Sequence, residues 1–279
     1  PILGEQFKCS WAHSDSVSTC HGEQVSHHPP ISALYMENKK WGIYFQQTIQ
    51  PFTTFWGTKT ITSLEADNVL KVLSLDEEYV HRDPQAVMRN LIFGTSYMDH
   101  SDEMIVECKK TGFKSKLQFG KSKWVVKGDI YKTVDGKDEP IYKIEGSMFD
   151  KVYITDLRTK TKGQFTEHSQ GARNPEFEME VAPLSQQKEN ESRKIWHSLT
   201  EKLVKGDLQA ASEAKGQIEE NERALRKERP HDWSWETHHN AEYFDKTGIT
   251  IGSSTPQFVY KNRMTTHSSN ESDVSEEMD

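Results

Sequence analysis

Adjacent imidazoles followed by two prolines, in the run Glu23-Gln24-Val25-Ser26-His27-His28-Pro29-Pro30, are the residues of this chain best suited to chemistry. Two neighbouring histidines can both donate to one multiply charged anion. Phosphate suits them, because it accepts several charge-assisted hydrogen bonds and stabilises the imidazolium form. On a regular strand the two rings would point to opposite faces, so they meet one ligand only where the backbone leaves β geometry. Pro29 restricts His28 to extended or turn conformations, and both prolines disfavour central strand pairing. The expected place is a rim or a loop.

The same residues have plainer readings. A surface turn needs no ligand at all. Cys9, His13, Cys20, His21, His27 and His28 share one stretch and could be offered to zinc, but Cys-x3-His followed by Cys-His lacks the paired spacing of structural zinc sites. Ser26 beside His27 provides no aligned base and orienting acid, so nucleophilic catalysis is not expected. No cofactor is implied.

A second constellation lies far downstream. Lys215, Glu219 and Arg223 recur at i, i+4 and i+8, one stripe of a helix drifting by about 40° per step. Glu219 can pair with both cations and orient them, and Arg226 adds a positive charge one turn on. Taken alone, the stripe is also what a solvated salt-bridge face looks like, each pair contributing about 0.2–0.5 kcal/mol.

Composition bounds what these residues can serve. The 279 residues are 34% hydrophobic and 28% charged, room for one large domain or two modest ones. No run approaches the roughly 20 apolar residues of a membrane-spanning helix, and Pro1-Ile2-Leu3 begins no signal peptide. A soluble chain, cut from a longer one, is expected. Three cysteines, Cys9, Cys20 and Cys108, fit a reducing compartment and no disulfide framework. The net charge of −8 argues against a nucleic-acid partner. Glu271, Asp273, Glu276, Glu277 and Asp279 supply much of it, so the body is close to neutral and can still present a basic patch to an anionic membrane.

The elements that must position these residues follow from periodicity. Residues 23–160 read as strands: 41–49, 69–75, 104–108, 116–119, 124–128, 141–146 and 151–154 are apolar or alternating, mostly at antiparallel spacing. Asp135-Gly136 reads as a hairpin turn. After Pro183, Ser185 is a candidate N-cap for a helix through Ile195, Trp196, Leu199 and Leu203, ended by Gly206. Asp207 caps a second helix running to about Arg229. Trp233, Trp235, Tyr243 and Phe244 should pack back on the body, and residues 264–279 read as an acidic disordered tail after a domain at 1–263. The expected fold is mainly β with C-terminal helices, a large incomplete antiparallel barrel able to enclose a lipid tunnel.

The unbroken run E-Q-V-S-H-H-P-P resembles the signature of the oxysterol-binding-protein-related family. Lys215-x3-Glu219-x3-Arg223 matches that family's late helix, Glu191-Ser192-Arg193-x-x-Trp196 its E-S-R-x-x-W, and Pro1-Ile2-Leu3-Gly4-Glu5 the end of its N-P-[IL]-L-G-E motif. The resemblance spans about residues 1–245. It implies that His27, His28, Lys215 and Arg223 hold the phosphates of phosphatidylinositol 4-phosphate, with Glu219 accepting from inositol hydroxyls or orienting its neighbours. It further implies that a sterol or phosphatidylserine takes the same tunnel in turn, so that the two lipids are exchanged between membranes with no bond broken. Such a protein works as a cytoplasmic, peripheral carrier at organelle contact sites. A phosphoinositide or sterol sensor at a membrane, which binds its lipid without shuttling it, is the other reading. The family's lid and a phosphate-binding lysine would lie upstream of Pro1. Phe52 stands where the family often carries a cation, which removes a charged contact there.

Overall fold

The computed structural model describes residues 1–120, 123–167, 178–229, 241–249 and 255–265. Among them, sixteen strands form one antiparallel sheet. The first four are β1 (Gln6–Ala12), β2 (Val17–His27), β3 (Pro30–Asn38) and β4 (Ile43–Ile49). Short strands follow: β5 (Pro51–Phe55), β6 (Thr60–Leu64), β7 (Asn68–Val72), β8 (Glu77–His81) and β9 (Gln85–Arg89). Long ones come next, β10 (Tyr97–Cys108), β11 (Phe113–Phe119), β12 (Val125–Val134) and β13 (Lys137–Ser147), then β14 (Lys151–Asp156), β15 (Lys162–Glu167) and β16 (Met179–Glu180). The path runs β15 to β10 in reverse order, then β8, β7, β4, β3, β2, β1 and β16; β5, β6 and β9 branch from β10. Among the described residues the path ends on β15 and β16 without closing on itself, as expected for an incomplete barrel. Between β12 and β13 the expected turn is present, with Asp135 at φ 48° and Gly136 at φ 74°, both in the left-handed region that a two-residue hairpin requires.

The register sorts the side chains into two faces. Cys9 lies opposite Cys20, which lies opposite Met36, and Met36 opposite Phe45, then Leu70 and Tyr79. By the same alternation this face continues to Leu117, Ile144 and Ile154. It is apolar, yet Phe7, Leu34, Met36, Phe45 and Leu70 on it are only half-buried. The opposite face of β2 and β3 carries Ile31, Ala33 and Tyr35, all buried against a C-terminal hairpin of β17 (Phe244–Ile249) and β18 (Pro256–Tyr260). Tyr35 stacks on Tyr260 at 4.3 Å and 7°. One sheet therefore presents a packed face and an open apolar one.

Three helices sit at the end of the sheet: α1 (Ser192–Ile195), α2 (His197–Val204) and α3 (Leu208–Glu228). Where one helix capped by Ser185 is expected, Leu184–Gln186 is a 3-10 turn, and the helix starts only after Glu191. The chain extends again at Gln187, whose side chain donates to the Ala182 carbonyl, so Ser185 caps nothing. Trp196, at φ −94° and ψ 9°, then separates α1 from α2. The α3 boundaries are as expected: Gly206 has φ +75°, and Asp207 accepts from the Ala210 amide at 2.9 Å. Among the described residues no helix is long and apolar enough to cross a membrane. Tyr243 and Phe244 pack on the core as expected, whereas Trp233 and Trp235 lie outside the described residues. Met264, where the tail was expected to begin, is buried, and its amide donates to Tyr35 Oη at 3.0 Å; residues 266–279 lie outside the described residues.

Candidate functional site

The run Glu23–Pro30 forms the end of β2, a tight turn and the start of β3. Both strands are interior to the sheet, so the prolines have not excluded the run from central pairing. They are tolerated because Pro29 lies in the turn and Pro30 is the first strand residue, positions that surrender no ladder hydrogen bond.

Most of the run is structural. Glu23 is buried, and its two carboxylate oxygens accept the amides of Glu242 (2.8 Å) and Tyr243 (2.9 Å). Burial pushes its carboxyl up, partly countered by those amides. Gln24 donates to the Ser26 carbonyl (2.6 Å) and accepts from Ser32 Oγ (2.5 Å), while Ser26 Oγ donates to the Pro29 carbonyl (2.7 Å). These bonds bracket an irregularity: Gln24 pairs with Ser32, but Ser26 pairs with Ile31, leaving Val25 as the extra residue. The consequence is a change of face. Beyond the bulge His27 pairs with Pro30, and so joins Ser32, Leu34 and Met36 on the open apolar face instead of the packed one.

The two imidazoles come together as the sequence requires, with ring centroids 4.6 Å apart at 66°. Helix α3 lies beside them. His27, His28, Lys215, Glu219 and Arg223 line one pocket of about 470 Å³, with Arg226 and Arg229 beside them. All five residues expected to hold the headgroup are thus in one place. Lys215 Nζ lies 3.4 Å and Arg223 Nη1 3.9 Å from Glu219, while the tighter bond of Arg223 is to Glu220, at 2.9 Å. Lys215, Arg223, Arg226 and Arg229 outnumber Glu219 and Glu222, so the pocket is cationic. Burial, reinforced by His28 and Arg226, holds the His27 imidazole below its ordinary value, and its Nδ1 is buried with no partner. Such a site gains most from an anion, which offsets the mutual repulsion and accepts from several donors at once. Phe52 does not line this pocket.

Trp196, Pro1, Ile2 and Leu3, which belong to family-like motifs but carry no headgroup role in the sequence reading, also line the pocket. The connection is Glu5. It accepts from the Ile2 amide (2.9 Å), Ser192 Oγ (2.7 Å) and Trp196 Nε1 (3.0 Å), joining the N-terminal segment to the start of the helices. The cysteines and histidines offered to zinc do not converge: among the described residues no group of three His, Cys, Asp or Glu side chains is placed for a metal. His13 instead bonds Ser18 Oγ at 2.8 Å, and Cys9, Cys20 and Cys108 are free and buried.

Comparison with known proteins places this geometry in context. The sequence model described as oxysterol-binding protein matches residues 1–202, which includes the histidine turn and stops short of α3. Oxysterol-binding protein 10 of Dictyostelium discoideum is 32% identical over 234 residues, covering 82% of this chain and 59% of that protein. Human oxysterol-binding protein-related protein 5 is 29% identical over 235 residues, 82% of this chain but only 27% of its own length. The chain thus spans less than two thirds of the length of either relative. Among solved structures, the Osh1 ORD domain in complex with cholesterol superposes with a TM-score of 0.71 at 19% identity, covering 94% of this chain and 67% of that one. The Osh3 ORD of Saccharomyces cerevisiae, in complex with PI(4)P, gives 0.68 at 20% identity, covering 93% and 68%. With the matched sequence model extending over most of its length, this chain belongs to the oxysterol-binding protein family.

Proposed function

We propose that this domain binds phosphatidylinositol 4-phosphate and exchanges it for a sterol or phosphatidylserine between membranes, as a peripheral cytoplasmic carrier at organelle contacts. One observation carries this reading: His27, His28, Lys215 and Arg223 meet in one cationic pocket at the end of an open apolar sheet face. The imidazoles and cations supply the donors for the phosphates, and Glu219 holds Lys215 or accepts from the inositol ring. The lipid chains lie on the face of Leu34, Met36 and Phe45, where each CH₂ withdrawn from water contributes about 0.8 kcal/mol. Osh3, a structural neighbour, was solved with PI(4)P and Osh1 with cholesterol, which supports one scaffold serving both lipid classes. If both use the same face, occupancy by one excludes the other, and that exclusion turns two bindings into an exchange.

Binding of phosphatidylinositol 4-phosphate by the wild-type chain and by His27→Ala/His28→Ala tests the pocket. Loss of at least about tenfold in affinity is expected, about 1.4 kcal/mol; equal affinity would discard the headgroup site. Transfer between two populations of liposomes then separates a carrier from a sensor, since a sensor binds and moves nothing.

A further inference from the structure

Among the described residues, five exposed large apolar side chains, three of them aromatic, stand together at the histidine end of the sheet. Chain direction establishes this. β3 leaves the histidine turn at Pro30, and β4 returns so that Ile49 lies opposite Ser32. β5 begins two residues later, and its hairpin with β6 continues outward from that end. The end of β5 and the turn after it carry Phe55 and Trp56; the loop between β9 and β10 carries Ile92 and Phe93. The two are tied by the Leu91 amide, which donates to the Thr58 carbonyl at 3.0 Å. Met98 follows on β10, and its carbonyl accepts from Trp124 Nε1 at 2.9 Å. Phe55, Trp56, Ile92, Phe93 and Met98 are between 60% and 78% exposed, far from the burial such side chains normally reach.

Charge identifies the partner. Segments 51–63, 86–98 and 123–126 contain Lys59, Arg89 and Lys123 and no Asp or Glu, in a chain of net charge −8; Lys127, just beyond, lies opposite Glu145. Arg89 is drawn 3.9 Å from the buried Asp99, just beyond the second segment. Lys123 lies 4.0 Å over the Trp124 ring and 4.4 Å over Tyr97. Aromatic and aliphatic side chains on turns, mixed with cations, match the interface of an anionic bilayer, where rings sit at headgroup depth and lysines reach the phosphates. A protein partner would not require the acids to be absent.

We propose that the turns bearing Phe55–Trp56 and Ile92–Phe93 insert into the interface of an anionic membrane and seat the histidine end of the sheet against it. This rests on the lipid-transfer reading for its purpose: a carrier must meet the bilayer at the end where its headgroup pocket opens.

The test uses vesicles of phosphatidylcholine and phosphatidylglycerol, free of phosphoinositide, sterol and phosphatidylserine, so that the headgroup pocket has no ligand. Sedimentation should show the wild-type chain bound, and Phe55→Ser/Trp56→Ser and Ile92→Ser/Phe93→Ser each bound at least about tenfold more weakly. These side chains are exposed, so melting temperatures should match the wild type. Lipids with brominated chains should quench a component of the fluorescence that Trp56→Phe lacks. No wild-type binding, unaltered binding by both double variants, or no quenching of Trp56 overturns the proposal. So would self-association abolished by the same substitutions, which would assign the patch to a second copy of the chain.

A water-soluble, short-chain phosphatidylinositol 4-phosphate reads the pocket separately, and the tip variants should bind it as the wild type does. A parallel loss would mean that the tip shapes the pocket, and would also overturn the docking role. If the wild type binds vesicles through the tip yet ignores the short-chain ligand, the docking surface stands and the headgroup reading falls.

Discussion

Arg226 Nη1 lies 2.6 Å from His28 Nε2, across 198 residues of sequence. A guanidinium has donors only, so His28 is the acceptor, and the last turns of α3 are held directly to the β2–β3 turn. The pocket therefore depends on a contact between its two halves.

Replacement of Arg226 should weaken headgroup binding. Arg226→Ala removes a charged donor and the tie to His28, and a decrease of about tenfold is expected from the loss of one charge-assisted bond. Arg226→Lys should recover only part of it, because an ammonium lacks the planar fork. Titration with short-chain phosphatidylinositol 4-phosphate checks both; full affinity in Arg226→Ala would remove this arginine from the site.

Acidity should act in opposite directions on the empty and the occupied protein. The His27 imidazole is held below its ordinary value by burial and cationic neighbours, as His21 is by burial and then Lys8 and Lys39. Both groups bind protons more readily in the unfolded chain, so the empty protein should lose stability as pH falls through about 6.5 and below. An anion favours the imidazolium and raises the His27 value. Affinity should accordingly increase as pH falls and be lost as pH rises through the raised value. Binding isotherms between about pH 5.5 and 8 on the wild type and His27→Gln test this, using the ordinary imidazole value as the centre of the range. A flat wild-type profile would exclude the imidazolium.

Glu23 should prove structural despite belonging to the histidine run. Glu23→Ala strands the amides of Glu242 and Tyr243, at about 1–3 kcal/mol for each one left buried. Urea unfolding should reveal the loss, while affinity for the short-chain headgroup, measured on the folded fraction, stays within about threefold, well under one hydrogen bond's worth. A drop in affinity without a drop in stability would make Glu23 a ligand contact instead.

Gly128 is expected to tolerate no side chain. A Cβ there would lie 2.0 Å from the Lys116 carbonyl oxygen, which is backbone of the neighbouring strand and cannot swing away. Gly128→Ala should destabilise by about 1–3 kcal/mol or more, the range for overpacking a tight site. Gly163→Ala, with open space around it, is the control. Equal melting temperatures for the two variants would contradict the packing of β11 on β12.

Seven strands between residues 41 and 154, the turn at Asp135-Gly136 and the caps of α3 at Gly206 and Asp207 were legible because each rests on neighbours in sequence; β5, β6, β8 and β9 were not singled out, and Leu73–Leu75, expected as the end of a strand, is a 3-10 turn. Alternation, a φ preference and a capping side chain act within a few residues. The headgroup residues were legible in another way. His27 and His28 announce themselves by adjacency, and Lys215, Glu219 and Arg223 by helical spacing, although nothing in either pattern says that the two should meet.

Missed elements share a different origin. Ser185 looks like an N-cap, but Gln187 turns the chain and the helix waits for Glu191; Trp196 looks like one more apolar helical residue, yet its indole bonds Glu5, 191 residues away. The single extra residue at Val25 turns His27 from the packed face to the open one, and only the pairing partner Pro30 reveals that shift. Residue types and local periods were determined by the sequence alone. Which face, which partner and which pocket were decided by tertiary structure, because register and long-range hydrogen bonds are relations between segments that no single segment contains.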